Sequence, residues 1–185
     1  MTTKTSELLT AAAPRAVAVV RGVTDDQLDL PTPCAEYTVR DLLNHFFEVV
    51  INFQALAAKQ AAEWAEKPDF LADGWRDRFA TEVDRVIRAW SAPSALEGVS
   101  PAMGMPQEVV GGMLLLDVTV HGWDLAEATG QPYEPDPVVV AALLDLTTAL
   151  APKAREAGVF DAETPVDPDA EPWPRLLALT GRTPA

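Results

Sequence analysis

At 185 residues the chain is about one domain long, and 48% apolar residues are ample for a core. Its 28 acidic against 14 basic residues give a net charge of −14, a solvated surface that argues against nucleic-acid backbones and anionic membranes, both of which are bound through clustered Lys and Arg. A single cysteine, Cys34, excludes an internal disulfide framework and suits a reducing compartment. No run reaches the ~18 apolar residues of a membrane span and the N-terminus lacks a signal-peptide layout, so a cytoplasmic protein is expected.

Residues 4–21 read as an Ala- and Val-rich amphipathic helix, bent or restarted at Pro14. "TDDQLDLPTPCAEY" follows as a loop, marked by two prolines and a charge cluster. Thr38 opens a second helix through the capping box "TVRD", with Asp41 in the place of Glu. That helix is expected to run to about Ala62, with Leu42, Val49 and Leu56 on one stripe. A third lies near 73–91, where Phe79, Val83, Val86, Ile87 and Trp90 repeat at helical spacing. "SAPSALEGVSPAMGMP", residues 91–106, is a long connection. The fourth helix, Gln107 to Thr129, is apolar nearly all round in its middle and is stopped by Gly130. "QPYEPDP" is a turn, 137–150 a fifth helix, and "PRLLALTG" a last short one stopped by Gly181. There is no internal repeat and no convincing strand of period two. The expectation is an all-α single domain over residues 1–185: a bundle of four principal helices with short extra C-terminal helices.

In "LLLDVTVHGWDLAEATG" Asp117 and His121 stand at i and i+4, on one face of the fourth helix with Cβ atoms ~5–6 Å apart. Val110, Met113 and Leu114 share that stripe, which marks it as core-facing. The other histidine, His45 in "DLLNHFFEVV", shares a stripe with Leu42 and Val49 and also points inward. At 1.5 Å per residue His45 lies ~10 Å from the start of its helix and His121 ~12 Å from the end of its own. Antiparallel helices would bring the two to one level. Two imidazoles and a carboxylate converging in a bundle core suit Zn²⁺, Ni²⁺ or Fe²⁺, whereas Ca²⁺ and Mg²⁺ prefer oxygen shells. Three protein ligands would leave a position for water or substrate. A hydrogen-bonded core histidine beside a buried Asp–His pair accounts for the same spacing. Asp124 and Asp41 are each placed to accept a second ring N–H, from His121 and His45 respectively, although capping is the better role for Asp41. Phe46, Phe47, Met113 and Trp123 are candidate pocket walls or plain core.

"TPCAEYTVRDLLNHFFEVV", followed some seventy residues on by "LLLDVTVHGWDLAEATG", resembles the DinB-like metal-binding helical superfamily. Within it the chain is most similar to the mycothiol-dependent maleylpyruvate isomerase N-terminal domain group, and "PRLLALTGRTP" resembles its small stand-alone members. The resemblance implies a four-helix bundle with up-down-down-up connectivity. It also implies a divalent metal, usually zinc, held by His45, Asp117 and His121. The isomerase has Glu at the position of Asp117 and a further C-terminal domain that this chain is not expected to contain, so the resemblance implies the fold and the metal site more than that reaction.

The leading expectation is therefore a metal-dependent enzyme using a low-molecular-weight thiol such as mycothiol on small electrophilic substrates, by S-transfer or isomerisation. A hydrolase working through metal-activated water is the alternative, as is a non-catalytic bundle that binds a metal or small ligand. The expected partners are a small-molecule substrate and the thiol, with no nucleic acid and no membrane, in a monomer or homodimer. Cys34 has no histidine near it in sequence and reads as a small buried thiol rather than a nucleophile.

Overall fold

The computed structural model of the chain describes residues 4–34 and 37–183; Ala35 and Glu36 of the loop before the second helix, and Pro184 of the terminal stretch, lie outside the described residues. The helices are α1 (Thr5–Gly22), α2 (Val39–Ala57), α3 (Trp75–Trp90), α4 (Gln107–Thr129), α5 (Pro137–Glu156) and α6 (Pro172–Leu179), with 3₁₀ turns at Asp25–Gln27 and Pro93–Leu96. Among the described residues there is no strand, so the all-α class read from the sequence holds. The chain divides into two compact units, Met1–Glu134 with α1 to α4 and Pro135–Ala185 with α5 and α6.

In the first unit α1 and α2 each pack against both α3 and α4. Contacts at the two ends of each pair fix the directions. Arg76, at the start of α3, donates to the Val23 carbonyl just past the end of α1, at 2.7 and 2.9 Å, so these two helices are antiparallel. Gly111 lies against Thr5 and Gly122 against Ala16, so α1 and α4 are parallel. Phe79 meets Phe46 and Phe47 near the starts of α3 and α2, and Trp90 Nε1 donates to Phe53 O near their ends, which makes that pair parallel. Gln107 Nε2 reaches Leu56 O at one end of α4 and α2, while His121 meets His45 at the other, so they are antiparallel. The connectivity is up-down-down-up. Leu9, Leu42, Phe46, Phe79, Leu114 and Leu125 are fully buried between these helices. Each such side chain contributes ~1.5–3 kcal/mol by leaving water.

A parallel α2/α3 pair forces its connection to travel back along the whole of α2, ~28 Å at helical rise. Residues 58–74 make that journey on the outer face of α2, and three polar side chains four residues apart mark the route. Asn52 accepts from Glu63 N–H at 3.2 Å and donates to the Glu63 carbonyl at 2.8 Å. Glu48 Oε1 accepts from Ala65 N–H at 2.5 Å, and Asn44 Oδ1 from Phe70 N–H at 2.6 Å. All three side chains are buried under the crossover they hold. The Phe70 ring stacks on Phe47 at 5.5 Å, and Arg78 donates to the Phe70 carbonyl.

Three boundaries differ from the sequence reading. α2 ends at Ala57 rather than near Ala62, because Lys59 takes a left-handed conformation (φ 59°). Lys59 N–H bonds to Leu56 O and Gln60 N–H to Ala55 O, a Schellman closure without the usual glycine. α1 is not restarted at Pro14, and α5 runs on to Glu156 through Pro152. Each proline deprives one carbonyl of its helical donor, that of Thr10 or Thr148. Both of those residues are exposed, so water can replace the missing bond.

α4 and α5 are each long and apolar enough to cross a membrane by length and composition, although neither holds an uninterrupted apolar run of that length. The apolar window of α4 is 78% buried inside the protein, as befits the core helix of a bundle.

Candidate metal centre

α2 and α4 carry the candidate donors, and their antiparallel packing gives those donors a common depth. The capping box at the start of α2 is formed as read: Thr38 Oγ1 accepts from Asp41 N–H at 3.3 Å, and Asp41 Oδ2 accepts from Thr38 N–H at 3.0 Å. Asp41 is thus a cap. It sets the start of a helix whose second turn presents His45, half-buried, towards α4.

The rings of His45 and His121 stand edge to face, centroids 5.1 Å apart and planes at 88°. His121 Nδ1 lies 3.0 Å from Oδ2 of Asp124, a carboxylate with no exposed surface. An ionised carboxylate only accepts, so with Asp124 ionised the neutral form of His121 has its hydrogen on Nδ1 and its lone pair on Nε2. That Nε2 lies 3.8 Å from Asp117 Oδ1. The gap is too long for a hydrogen bond. It is close to the ~3.4 Å that separates two donors on one tetrahedral ion with ~2.1 Å bonds. Asp117 keeps 30% of its side chain exposed, which leaves one flank of the cluster open to solvent.

Burial, followed by the repulsion that a protonated His121 would exert, pushes the His45 imidazole down to about 4. His45 is therefore neutral at pH 7 and offers a lone pair rather than a proton. The carboxylates of Asp117 and Asp124 beside His121 would give a cation a favourable local field. The chemistry of the donors fits a first-row divalent ion. Among the described residues, however, no three His, Cys, Asp or Glu side chains are closed into a metal-holding group. The predicted donors are gathered at one level without being drawn together.

Of the candidate walls, Phe46 stands beside the cluster, its ring 6.1 Å from that of His121. Phe47 faces Phe70 and Phe79 instead and is core. Met113 shares with Asp117 a half-exposed edge of α4. Trp123 is buried two residues past His121, ~200° round the helix and so directed elsewhere. Sequence reasoning missed Tyr37, whose ring lies 5.5 Å from that of His45 with planes inclined at 38°. Its place just before the cap was visible, but its direction was not. Cys34 is half-buried in the same loop.

Residues 9–126 match the family model described as the mycothiol maleylpyruvate isomerase N-terminal domain. Two curated relatives, uncharacterized proteins of Mycobacterium tuberculosis strains CDC 1551 / Oshkosh and ATCC 25618 / H37Rv, are each 32% identical over 170 residues, covering 90% of this chain and 91% of theirs. No solved structure matches.

Proposed function

The chain belongs to the mycothiol maleylpyruvate isomerase N-terminal domain family, and from that premise we propose that it is a divalent-metal protein in which His45, Asp117 and His121 hold the ion, zinc before nickel or iron. We further propose a thiol-dependent enzyme, with mycothiol as the thiol and small electrophiles as substrates for S-transfer or isomerisation. The observation that carries the metal reading is the posture of His121. Asp124 takes its Nδ1–H, so Nε2 is turned, lone pair outward, into the space shared with Asp117 and His45. Metal-binding histidines are commonly oriented in this way by a carboxylate.

A divalent ion held by these residues would supply the charge that lowers a thiol's pKa. The chain's own residues do the rest. His45, kept neutral by burial, needs no proton removed before it can act as a donor at pH 7. Asp124 holds the His121 tautomer. Asp117, on the solvent-facing side, contributes charge and leaves room for a small ligand. Phe46 walls the inner side and limits water there.

Elemental analysis of protein purified without an affinity tag tests the metal reading. About one divalent ion per chain is expected, as three donors serve one ion. Protein that carries none and takes up neither zinc nor cobalt on dialysis would refute it.

A further inference from the structure

The two histidines of the cluster are held in different ways. His121 is fixed through its Nδ1 by Asp124. Among the described residues neither ring nitrogen of His45 takes part in a hydrogen bond, and its orientation is set by ring contacts with Tyr37 on one side and His121 on the other. An imidazole free to turn about its Cβ–Cγ bond would carry its donor nitrogens away from any ion at His121 and Asp117. Something must take the place of the carboxylate that His121 has.

Tyr37 is built to do so. Its N–H donates to the Cys34 carbonyl at 2.8 Å, and its own carbonyl accepts from Thr32 Oγ1 at 2.8 Å. Thr32 Oγ1 also lies 3.0 Å from Cys34 O, so its single hydrogen is shared between the Cys34 and Tyr37 carbonyls. Immediately after Tyr37 come the bridge between Pro31 and Thr38, the Val39 N–H bond to Leu30 O and the capping box. The backbone of Tyr37 is therefore anchored on both sides, and its ring lies 5.5 Å from that of His45. We propose that Tyr37 is the positioning residue of His45, and that its aromatic face, not its hydroxyl, holds the imidazole plane for ligation. This inference rests on the metal reading above.

Cobalt(II) is the probe, since its d–d bands report the geometry of its donors independently of any turnover. Titration of the metal-free wild-type protein is compared with Tyr37→Phe and Tyr37→Leu, with Tyr37→Gln as a second ringless variant should leucine prevent folding. Far-UV circular dichroism and thermal melts of the metal-free forms check the fold. Tyr37→Phe should overlay the wild type in affinity and bands. The ringless variants should keep the helical signal, bind cobalt about ten-fold more weakly or worse, as loss of an orienting partner typically does, and show shifted bands. Ringless variants with wild-type affinity and bands would overturn the inference while leaving the metal reading intact. So would a Tyr37→Phe protein as impaired as they are. A folded wild-type protein that develops no cobalt bands at all would overturn the metal reading, and the inference with it.

Discussion

His45 and His121 meet edge to face with their centroids 5.1 Å apart, although 75 positions of chain lie between them and each sits on a different helix. The meeting depends on α2 and α4 running antiparallel, with Gln107 and Leu56 joined at the far end.

Replacing His121 by Ala should abolish metal uptake and leave a helical protein. The bundle rests on apolar burial, and α4 has its own closure at Gly130. The buried Asp124 loses its imidazole partner, so the metal-free variant should be ~1–3 kcal/mol less stable in urea denaturation. Outright unfolding would make the residue structural and remove the case for an open site.

Asp124→Asn keeps the shape of the side chain and takes away its charge. Zinc affinity, measured by competition with a chromophoric chelator, should fall about 10- to 100-fold while the helix content stays constant. Unchanged affinity would mean that the 3.0 Å contact does not orient His121 for a metal.

The metal-free protein should lose stability as pH falls from 6.5 towards 4. His45 has its folded value lowered to about 4 from 6.5, so over that window the unfolded chain binds a proton that the folded chain refuses. Stability then rises with pH across the window. The contribution is at most about 3 kcal/mol, and less to the extent that the half-buried ring is solvated. The difference between wild type and His45→Gln in urea isolates it from the carboxylates, and a flat difference from pH 4 to 6.5 would count against it.

Mycothiol binding to the metal-loaded protein should release a proton, because a metal takes thiolate and not thiol. Calorimetry in two buffers of different ionisation enthalpy would reveal that proton, and the same titration on His45→Ala should be silent. Equal binding to the metal-free variant would point to a binding bundle that does not use the metal for the thiol.

Gly111→Ala should destabilise the bundle. A Cβ there would meet the Trp90 ring at 2.9 Å and the Thr5 methyl at 3.1 Å. Overpacking of ~1–3 kcal/mol works against the ~1 kcal/mol that Ala gains over Gly in a helix. A raised melting temperature would show that α1 yields more easily than the packing implies.

The sequence carried what local chemistry writes into it. The apolar run of α4 ending at Gly130, the Thr38–Asp41 box and the inward stripes of His45 and His121 are all short-range signals, and the structure places them as read. Counting depth along the two helices put His45 and His121 at one level on condition that the pair is antiparallel, which it is. What escaped depends on partners distant in sequence or on unusual residues in common roles. Lys59 closes α2 in a conformation usually left to glycine, so no breaker was visible. Asn44, Glu48 and Asn52 form a buried polar stripe at a spacing of four, yet nothing local shows that a loop will lie on it. Tyr37 meets His45 from a position whose carbonyl is held by Thr32, a contact no local pattern announces.

That polar stripe also ties the order of the crossover to the winding of one helix. Its rungs run backwards, with Glu63 on Asn52, Ala65 on Glu48 and Phe70 on Asn44, so fraying of α2 from its first turn would release Phe70 first and Glu63 last. These three amides borrow their protection from side chains instead of from a neighbouring backbone. In hydrogen exchange they should open as a graded series, like a zip drawn from the capped end. Weakening the Thr38 cap by Thr38→Ala, a loss of ~1 kcal/mol, should then speed exchange at Phe70 more than at Ala65, and at Ala65 more than at Glu63.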